Sequence, residues 1–344
     1  MSSSLPLPGA DGFPLRLFRD RIAVVLNIYL PVQDLLTTLN IARGVIIGSV
    51  ANIIAMDTTP QAPTGLDLAV EYDGFRHLSG FIVGNGYEQS EDVVAAPWSS
   101  TAHSVYHFRI LSRRRIGPSS ITDYVRVVRL KPQRYALFLH LLKSPSTVSM
   151  TYLSSSTWLT FYPELWKNRQ AWSRWGEVVN DHATDSERRV KKLGFDSLFT
   201  NEHNLTPCID CPAANRLLTG GMGVYSVVHC QPRNRADTYG QKALNNFASV
   251  SIKWRFSVHC FNSCCPRHVH WAVRQPEVFF APTSAECVEA LSDELCMYKE
   301  AWVFRDTLLG FCLDLKHHPL SVATARRSVA KPKSQADIKP SQAE

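Results

Sequence analysis

The sequence predicts an α/β (α+β) fold in which a mixed sheet is flanked by helices. Apolar residues recur at helical spacing in two stretches near the start of the chain, and short β-branched runs follow them. The two helical stretches are marked by Ile22, Val25, Leu26 and Tyr29, and then by Val32, Leu35, Leu36 and Leu39. The first β-branched run is Val45-Ile46-Ile47, which is typical of a buried strand. Helices and buried strands that alternate in this way predict layers of helix on a sheet.

Glycines and prolines divide the next part of the chain into elements. Gly48-Ser49 turns the first strand directly into a helical stretch, VANIIAM, and the loop DTTPQAPTG leads to a second strand at residues 65–70. A short helix closed by glycines is predicted in EYDGFRHLSGFIVGNGYE. The runs VYHFRIL and DYVRVVRL, on either side of an IGPSS turn, predict a hairpin. Residues 15–135 are therefore predicted to form the first domain.

The rest of the chain has a different composition. Residues 136–320 are expected to form a helical and cysteine-rich C-terminal portion, with Trp172, Trp175 and Val179 on one face of a helix between residues 135 and 200. Residues 1–14 are rich in Ser, Pro and Gly, and residues 321–344 have few large apolar side chains, so both ends are predicted to be disordered.

Composition excludes some classes of protein. Hydrophobic residues make up 45% of the chain and charged residues 19%, which excludes disorder throughout. No apolar run reaches the roughly 18 to 20 residues of a membrane span, so no membrane partner is expected. Nine cysteines, an odd number and unevenly placed, favour reduced thiols or a metal site over a secreted disulfide framework. We therefore expect an intracellular protein, in the cytoplasm or the nucleus.

Positive charge is concentrated in one segment. The formal charge of the chain is +7, and residues 101–135 hold eight basic residues against Asp123 alone, which also gives +7. These basic residues are Arg109, Arg113, Arg114, Arg115, Arg126, Arg129, Lys131 and Arg134. A concentrated basic surface attracts phosphates, which makes a nucleotide or a nucleic acid a candidate partner. A solvated basic hairpin without a ligand is the alternative.

The order and spacing of these elements resemble the nucleotidyltransferase superfamily. That superfamily has a strand, a Gly-Ser or Gly-Gly turn, a helix, a loop and a strand with Asp-x-Asp or Asp-x-Glu, and a later strand carries a third carboxylate. Here Gly48-Ser49 stands at the turn, fifteen residues follow, and the second strand begins Gly65-Leu66-Asp67. The stretch from about residue 41 to 170 resembles uncharacterised fungal, mainly basidiomycete, proteins with a nucleotidyltransferase-like domain, on the runs GSVANIIA, TGLDLAV, YVRVVRL and SMTYLSSSTWLTFYPELW.

The resemblance implies a degenerate active site. Asp67 corresponds to the second carboxylate of the pair, and so to a catalytic ligand of Mg²⁺, whereas Gly65 replaces the first carboxylate. Arg126 stands where the third carboxylate is expected, and a fixed cation there holds a phosphate without supporting metal catalysis. The resemblance thus favours a pseudoenzyme over an active transferase.

A phosphate site is predicted around the glycine turn. Gly48 allows a close approach of the backbone to a phosphate, and Ser49 with the helix N-terminus behind it offers hydrogen-bond donors. Arg126 and Arg129 are the candidate phosphate contacts. Two alternatives stay open. One is an active Mg²⁺-dependent transferase that combines Asp67 with Asp57, Glu71 or Asp123, and the other is an interaction or scaffold protein without a small-molecule site.

A second group of residues suggests zinc. Cys208 and Cys211 form a C-x-x-C pair that matches the bite of tetrahedral Zn²⁺, and Cys260 with Cys264 provides a more distant pair with a three-residue spacer. Because that second spacing is not the usual one, free and partly buried thiols are the alternative.

Overall fold

The computed structural model describes residues 14–56, 65–94, 104–114, 122–133, 135–173 and 181–199, together with short pieces between residues 211 and 280. The helices are α1 (Leu15–Leu26), α2 (Val32–Ala42), α3 (Gly48–Ala55), α4 (Phe75–Gly84), α5 (Ala136–Leu142), α6 (Pro163–Lys167) and α7 (Asp181–Lys192). The strands are β1 (Gly44–Ile47), β2 (Gly65–Val70), β3 (Glu88–Val94), β4 (Val105–Arg114), β5 (Thr122–Leu130), β6 (Thr151–Leu153), β7 (Thr157–Thr160), β8 (Gln170–Ser173), β9 (Asp196–Phe199), β10 (Arg216–Leu217), β11 (Tyr225–Val228), β12 (Ile252–Trp254) and β13 (Val278–Phe280).

An eight-stranded mixed sheet organises these elements, in the order β11-β7-β6-β1-β2-β5-β4-β3. Strand β1 runs antiparallel to β2, and β2 runs parallel to β5. The other neighbours in this sheet pair antiparallel. A pair β8-β9 and a sheet β10-β12-β13 are separate from it. A mixed sheet flanked by helices is what the sequence predicted, and at this level the prediction is confirmed.

The two faces of the large sheet are covered by different helices. Alternate side chains of a strand point to opposite faces, so Ile46 and Leu68 pack with α1 to α4 in one core cluster, and Val45 and Ala69 pack with α5 in another. We call the first the four-helix face and the second the α5 face. Residues that are paired in register on neighbouring strands share a face, which decides below which side chains can meet.

Several local predictions hold in detail. The two N-terminal helical stretches are α1 and α2, the glycine turn joins β1 to α3 at Gly48, and the glycine-closed helix is α4. The predicted hairpin is the antiparallel pair β4 and β5, from Val105↔Leu130 to Arg114↔Thr122. In each case the sequence pattern and the packing require the same element.

The helical prediction for residues 135–200 is confirmed in part: helices α5, α6 and α7 lie in that range, but so do strands β6, β7, β8 and β9. Of the residues predicted on one helical face, Trp175 and Val179 lie outside the described residues. Residues 136–142 do form α5, but β6 and β7 follow it, and Trp172 lies on strand β8. Both β6 and β7 are buried along their whole length, and a buried apolar run cannot be assigned to a strand or a helix by periodicity alone. Trp172 is nevertheless buried, as expected for core. The sheet also extends past residue 135, because β6 pairs with β1.

The predicted disordered ends at 1–14 and 321–344 lie outside the described residues, except for Pro14, and so does most of the cysteine-rich portion. None of the helices in the described ranges combines the length and apolar character that crossing a membrane requires.

Candidate functional site

The turn between β1 and α3 places the N-terminus of α3 at the C-terminal end of strand β1. Gly48 has φ +72°, in the left-handed region that glycine adopts most readily. The N-cap residue of α3, Ile47, makes no capping hydrogen bond with its side chain, and both Gly48 and Ser49 are half-buried. The first turn of α3 therefore presents amide donors and the positive end of the helix dipole.

Asp67 lies against this turn. It pairs in register with Ile47 across β1 and β2, and its Oδ2 is 2.9 Å from the position that a Cβ on Gly48 would occupy. That distance is shorter than the contacts of real Cβ atoms, so only glycine fits at position 48 while Asp67 keeps this rotamer. The glycine turn and the carboxylate are thus packed as one unit.

Arg126 completes the group from the neighbouring strand. Arg126 and Asp67 are paired in register across the parallel strands β5 and β2, and Nε of Arg126 donates to Oδ1 of Asp67 over 2.9 Å. The Asp67 side chain is 27% exposed and that of Arg126 is 38% exposed. Within the described part of the chain, Nε is the one nitrogen of this guanidinium with a hydrogen-bond partner. The terminal nitrogens remain available to an anion.

A buried asparagine holds α3 in place, and the sequence analysis did not single it out. Asn52 is fully buried, and its Nδ2 donates to the carbonyls of Gly48 and Val148, each over 2.9 Å. Its Oδ1 accepts a hydrogen bond from Nε1 of Trp166 at 3.0 Å. A single amide in the otherwise apolar helix GSVANIIA was the signal available in the sequence. These three hydrogen bonds, which we call the Asn52 brace, tie the glycine turn to Val148 and Trp166.

The residues at this site do not fit a Mg²⁺ ion. Mg²⁺ requires oxygen ligands in near-octahedral geometry, but Gly65 supplies no side chain and Arg126 places a cation beside Asp67. Among the residues that the structure describes, no group of three or more His, Cys, Asp or Glu side chains could hold a metal. The donor set therefore argues against the predicted magnesium.

The two described carboxylates proposed as partners of Asp67, Glu71 and Asp123, are engaged elsewhere. Glu71 directly follows β2, four residues after Asp67 and about 13 Å away at strand spacing, and it pairs with Arg43 at 3.3 Å. Asp123 is buried and lies 3.7 Å from the guanidinium of Arg113. It is three residues before Arg126 on β5, so it points to the opposite face of the sheet. Asp57 lies outside the described residues.

Arg129, the second predicted phosphate contact, is not brought to this site. It is three residues after Arg126 on β5, so its side chain points to the four-helix face. There its Nε donates to the carbonyl of Tyr72, and its guanidinium lies 3.6 Å from the Tyr72 ring centroid. The rings of Phe75 and Tyr106 flank it at 5.3 and 5.2 Å. Arg129 anchors the start of α4 to the sheet.

The basic segment does not form one surface either. Arg109 makes a bidentate pair with Asp92 over 2.8 and 2.9 Å. Arg113 donates to the carbonyl of Tyr29 over 2.9 Å and lies over the ring of Tyr87. Arg115 and Arg134 lie outside the described residues. Because strand alternation distributes the described arginines over both faces, the concentrated positive surface expected from the sequence is not found among them.

Burial and the charge of Arg126 also affect a nearby histidine. His140, on α5, is buried, and its Nδ1 lies 3.5 Å from Oγ of Ser104. Desolvation, with a smaller contribution from the positive charge of Arg126, lowers the pKa of His140 to about 4. The imidazole is therefore neutral near pH 7, and Arg126 is the cation on this side of the site.

Of the predicted zinc ligands, the structure describes Cys211, which is buried. Cys208, Cys260 and Cys264 lie outside the described residues, so the zinc site stays a prediction.

A cavity of about 570 Å³ lies between α1 and α2, on the four-helix side of the sheet and away from Asp67. Its lining includes Ile22, Val32 and Leu36, and its cation, Arg19, donates to the carbonyl of His229. Nothing in this mostly apolar lining matches the chemistry at Asp67.

Comparison of the chain with family models, with curated proteins and with solved structures finds no match.

Proposed function

We propose that this chain binds the phosphate of a nucleotide or a nucleic acid, as a catalytically impaired nucleotidyltransferase-like protein. The observation that carries the proposal is the in-register pair of Asp67 and Arg126 beside the N-terminus of α3. The pair is half-exposed, and the terminal guanidinium nitrogens of Arg126 have no hydrogen-bond partner among the described residues. Backbone amides and a guanidinium together are a common way to hold a phosphate.

The order of the elements supports the nucleotidyltransferase-like part of the proposal. β1, the left-handed Gly48 turn, α3 and β2 follow one another, and β5 lies directly beside β2. In the superfamily that this order resembles, the third carboxylate comes from a later strand. Arg126 is paired with Asp67 on such a strand. The geometry is thus compatible with a site in which a cation has replaced a metal ligand.

Binding is favoured over transfer because one carboxylate is a poor substitute for three. Two-metal phosphoryl chemistry relies on carboxylates that clamp the ions on both sides of the reacting phosphorus. Here Oδ1 of Asp67 forms an ion pair with Arg126, and Oδ2 lies against Gly48, which has no side chain. A guanidinium offers positive charge to a phosphate, but it cannot activate a nucleophile as a bound metal does.

A nucleotide is a better fit than a long nucleic acid. Strong binding to a nucleic-acid backbone requires several cations along one surface, whereas Arg126 and Arg129 point to opposite faces and Arg109 is neutralised by Asp92. A single phosphate group needs only the cluster at Gly48, Ser49 and Arg126.

The test is isothermal titration calorimetry with AMP, ATP and a short single-stranded oligonucleotide, on the wild type and on Arg126→Gln. Loss of a charge-assisted hydrogen bond should weaken binding about 10- to 100-fold. Arg76→Gln is the matched control, because it removes the same charge from an exposed position on α4. It should leave the affinity within about twofold of the wild type, since screening limits the effect of distant charges.

Two outcomes would contradict the proposal. If none of the three ligands binds the wild type, the chain has no nucleotide site, and this result favours an interaction or scaffold protein without a small-molecule site. If Arg126→Gln binds as tightly as Arg76→Gln, the phosphate site does not include Arg126.

A further inference from the structure

The α5 face next to the proposed phosphate site carries an exposed aromatic ring. Tyr124 is 45% exposed, and it precedes Arg126 by two residues on β5, so both side chains point to the same face about 7 Å apart. Within the described residues, neither a hydrogen bond nor a ring contact engages the Tyr124 side chain. An aromatic ring in such a position usually packs over its neighbours in the sheet.

The neighbours of Tyr124 leave space beside the ring. Across β2 its partner in register is Gly65, and across β4 its partner is Ser112, so both flanking positions have minimal side chains. An exposed tyrosine beside a glycine could simply shield the glycine backbone. The distances argue against this, because among the described residues a Cβ placed on Gly65 meets the backbone oxygen of Tyr124 at 3.6 Å and its Cβ at 3.9 Å. No atom of the Tyr124 ring lies within 4 Å of that Cβ position.

Resting on the proposed function, we infer that the surface formed by Tyr124 and Gly65 holds the base and sugar of the nucleotide whose phosphate lies at Arg126. Any of the nucleic-acid bases can stack on an exposed aromatic ring, because every base has a π-face. The open strand surface at Gly65 lies between this ring and the Gly48 turn, where a ribose would connect base and phosphate. Gly65 thus has two effects: it removes a metal ligand, and it leaves room for the ligand.

The inference requires that the base contribute to affinity. Base stacking on an aromatic side chain should make AMP bind about 5- to 100-fold more tightly than ribose 5-phosphate. Tyr124→Ala should abolish that ratio, and Tyr124→Phe should preserve it because the ring is retained. Tyr106→Ala is the matched control, since Tyr106 is also exposed, at 47%, but is adjacent to Arg129 on the four-helix face. It should leave the ratio unchanged.

Calorimetry with AMP, ribose 5-phosphate and inorganic phosphate tests phosphate binding and base binding separately. We call the surface formed by Tyr124 and Gly65 the base platform. If all three ligands bind with equal affinity, or if Tyr124→Ala retains the preference for AMP, the base platform is refuted while the phosphate site stands. If none of them binds, both the platform and the proposed function are refuted. A tri-adenylate strand in the same assay shows whether a free nucleotide or a strand supplies the base. Because Tyr124 is exposed, its variants are expected to fold, which circular dichroism checks.

A second variant tests the platform from the opposite side. Gly65→Val fills the strand surface beside Tyr124 while leaving Arg126 and the Gly48 turn unchanged. The Cβ of the new side chain would make only ordinary van der Waals contacts with the described residues. Gly65→Val should weaken AMP at least about 5-fold and inorganic phosphate little. Equal affinity of AMP for Gly65→Val and for the wild type would overturn the inference.

Discussion

Oδ2 of Asp67 lies 2.9 Å from the point where a Cβ on Gly48 would stand, at a residue whose φ is +72°. Position 48 is therefore restricted twice, by the backbone conformation and by the carboxylate. The first restriction belongs to the turn from β1 into α3, and the second follows from the antiparallel register that sets Ile47 opposite Asp67. A substitution at Gly48 should reveal how tightly the turn and the carboxylate are coupled.

Gly48→Ala should lower the free energy of unfolding by at least about 1–2 kcal/mol, the usual cost of a left-handed residue with a side chain. Urea denaturation measures this. Gly80→Ala is the control, because Gly80 lies within α4 and a Cβ there meets no atom of the described residues within 4 Å. It should stabilise the protein by about 0.5–1 kcal/mol. If both substitutions have the same sign, position 48 is not restricted as described.

The Asn52 brace should matter more than its size suggests. Asn52→Ala leaves the indole N–H of Trp166 and the carbonyl of Val148 without their partner inside the core. Each buried polar group that loses its partner costs about 1–3 kcal/mol, so for two groups we expect a loss of roughly 2–6 kcal/mol in unfolding free energy. Asn85→Ala, which removes a half-buried amide bonded to the carbonyl of Phe81, should cost about 1 kcal/mol or less. Equal losses in the two variants would show that the brace is not needed.

Two buried histidines should make the protein sensitive to acid. Burial lowers the pKa of both His140 and His229 to about 4 from the ordinary value of 6.5. Between these pH values the unfolded chain binds a proton that the folded chain does not, so stability falls as the pH decreases from about 6.5 to about 4. Each histidine contributes up to about 3 kcal/mol to this loss.

Urea denaturation at pH 7 and pH 5 checks this dependence. His140→Gln should reduce the difference in unfolding free energy between the two pH values, whereas His77→Gln, at an exposed position on α4, should not. An unchanged pH dependence in His140→Gln would mean that His140 is protonated without cost in the folded protein.

If two substitutions removed metal binding, reversing them should restore it. Among the described residues, a Cβ at Gly65 meets only contacts of 3.6 and 3.9 Å, and position 126 is in register with Asp67. The double variant Gly65→Asp with Arg126→Asp places three carboxylates on one face of two adjacent strands. Its melting temperature should rise with Mg²⁺ and fall with EDTA, because a metal that binds only the folded state stabilises it. The wild type should show neither change.

The control for this experiment is Gly65→Asp alone, in which Arg126 still pairs with Asp67. Mg²⁺ should stabilise it much less than the double variant, because the guanidinium opposes a second cation nearby. If the double variant does not respond to Mg²⁺, the three positions do not converge as the strand register implies.

The sequence was sufficient for those parts of the fold in which local pattern and tertiary packing agree. The Gly48 turn has a backbone requirement that glycine meets, and the sequence IGPSS between β4 and β5 is typical of a turn, so both elements could be predicted. Residues 151–160 could not, because strands buried on both faces lack the alternation that identifies a strand.

Part of the candidate site was also predictable, where it follows from the order and the alternation of the strands. The alignment of Arg126 with Asp67 followed from the order of the strands. The displacement of Arg129 to the opposite face follows from a period of two residues along β5, once that strand is assigned. The pairing of Arg113 with Asp123 likewise follows from the β4–β5 hairpin once its register is known. The partners of Asn52, in contrast, lie far away in the sequence, at Val148 and Trp166. Contacts of this kind depend on the whole topology and leave no local pattern.

We propose that the guanidinium of Arg126, which is hydrogen-bonded to Asp67, supplies the positive charge that a phosphate needs at this site. The most direct measurement is the affinity of the wild type for AMP by calorimetry, once with Mg²⁺ and once with EDTA. Because Arg126 supplies the positive charge, the account predicts dissociation constants that agree within about twofold. AMP binding that requires Mg²⁺ and disappears with EDTA would contradict it.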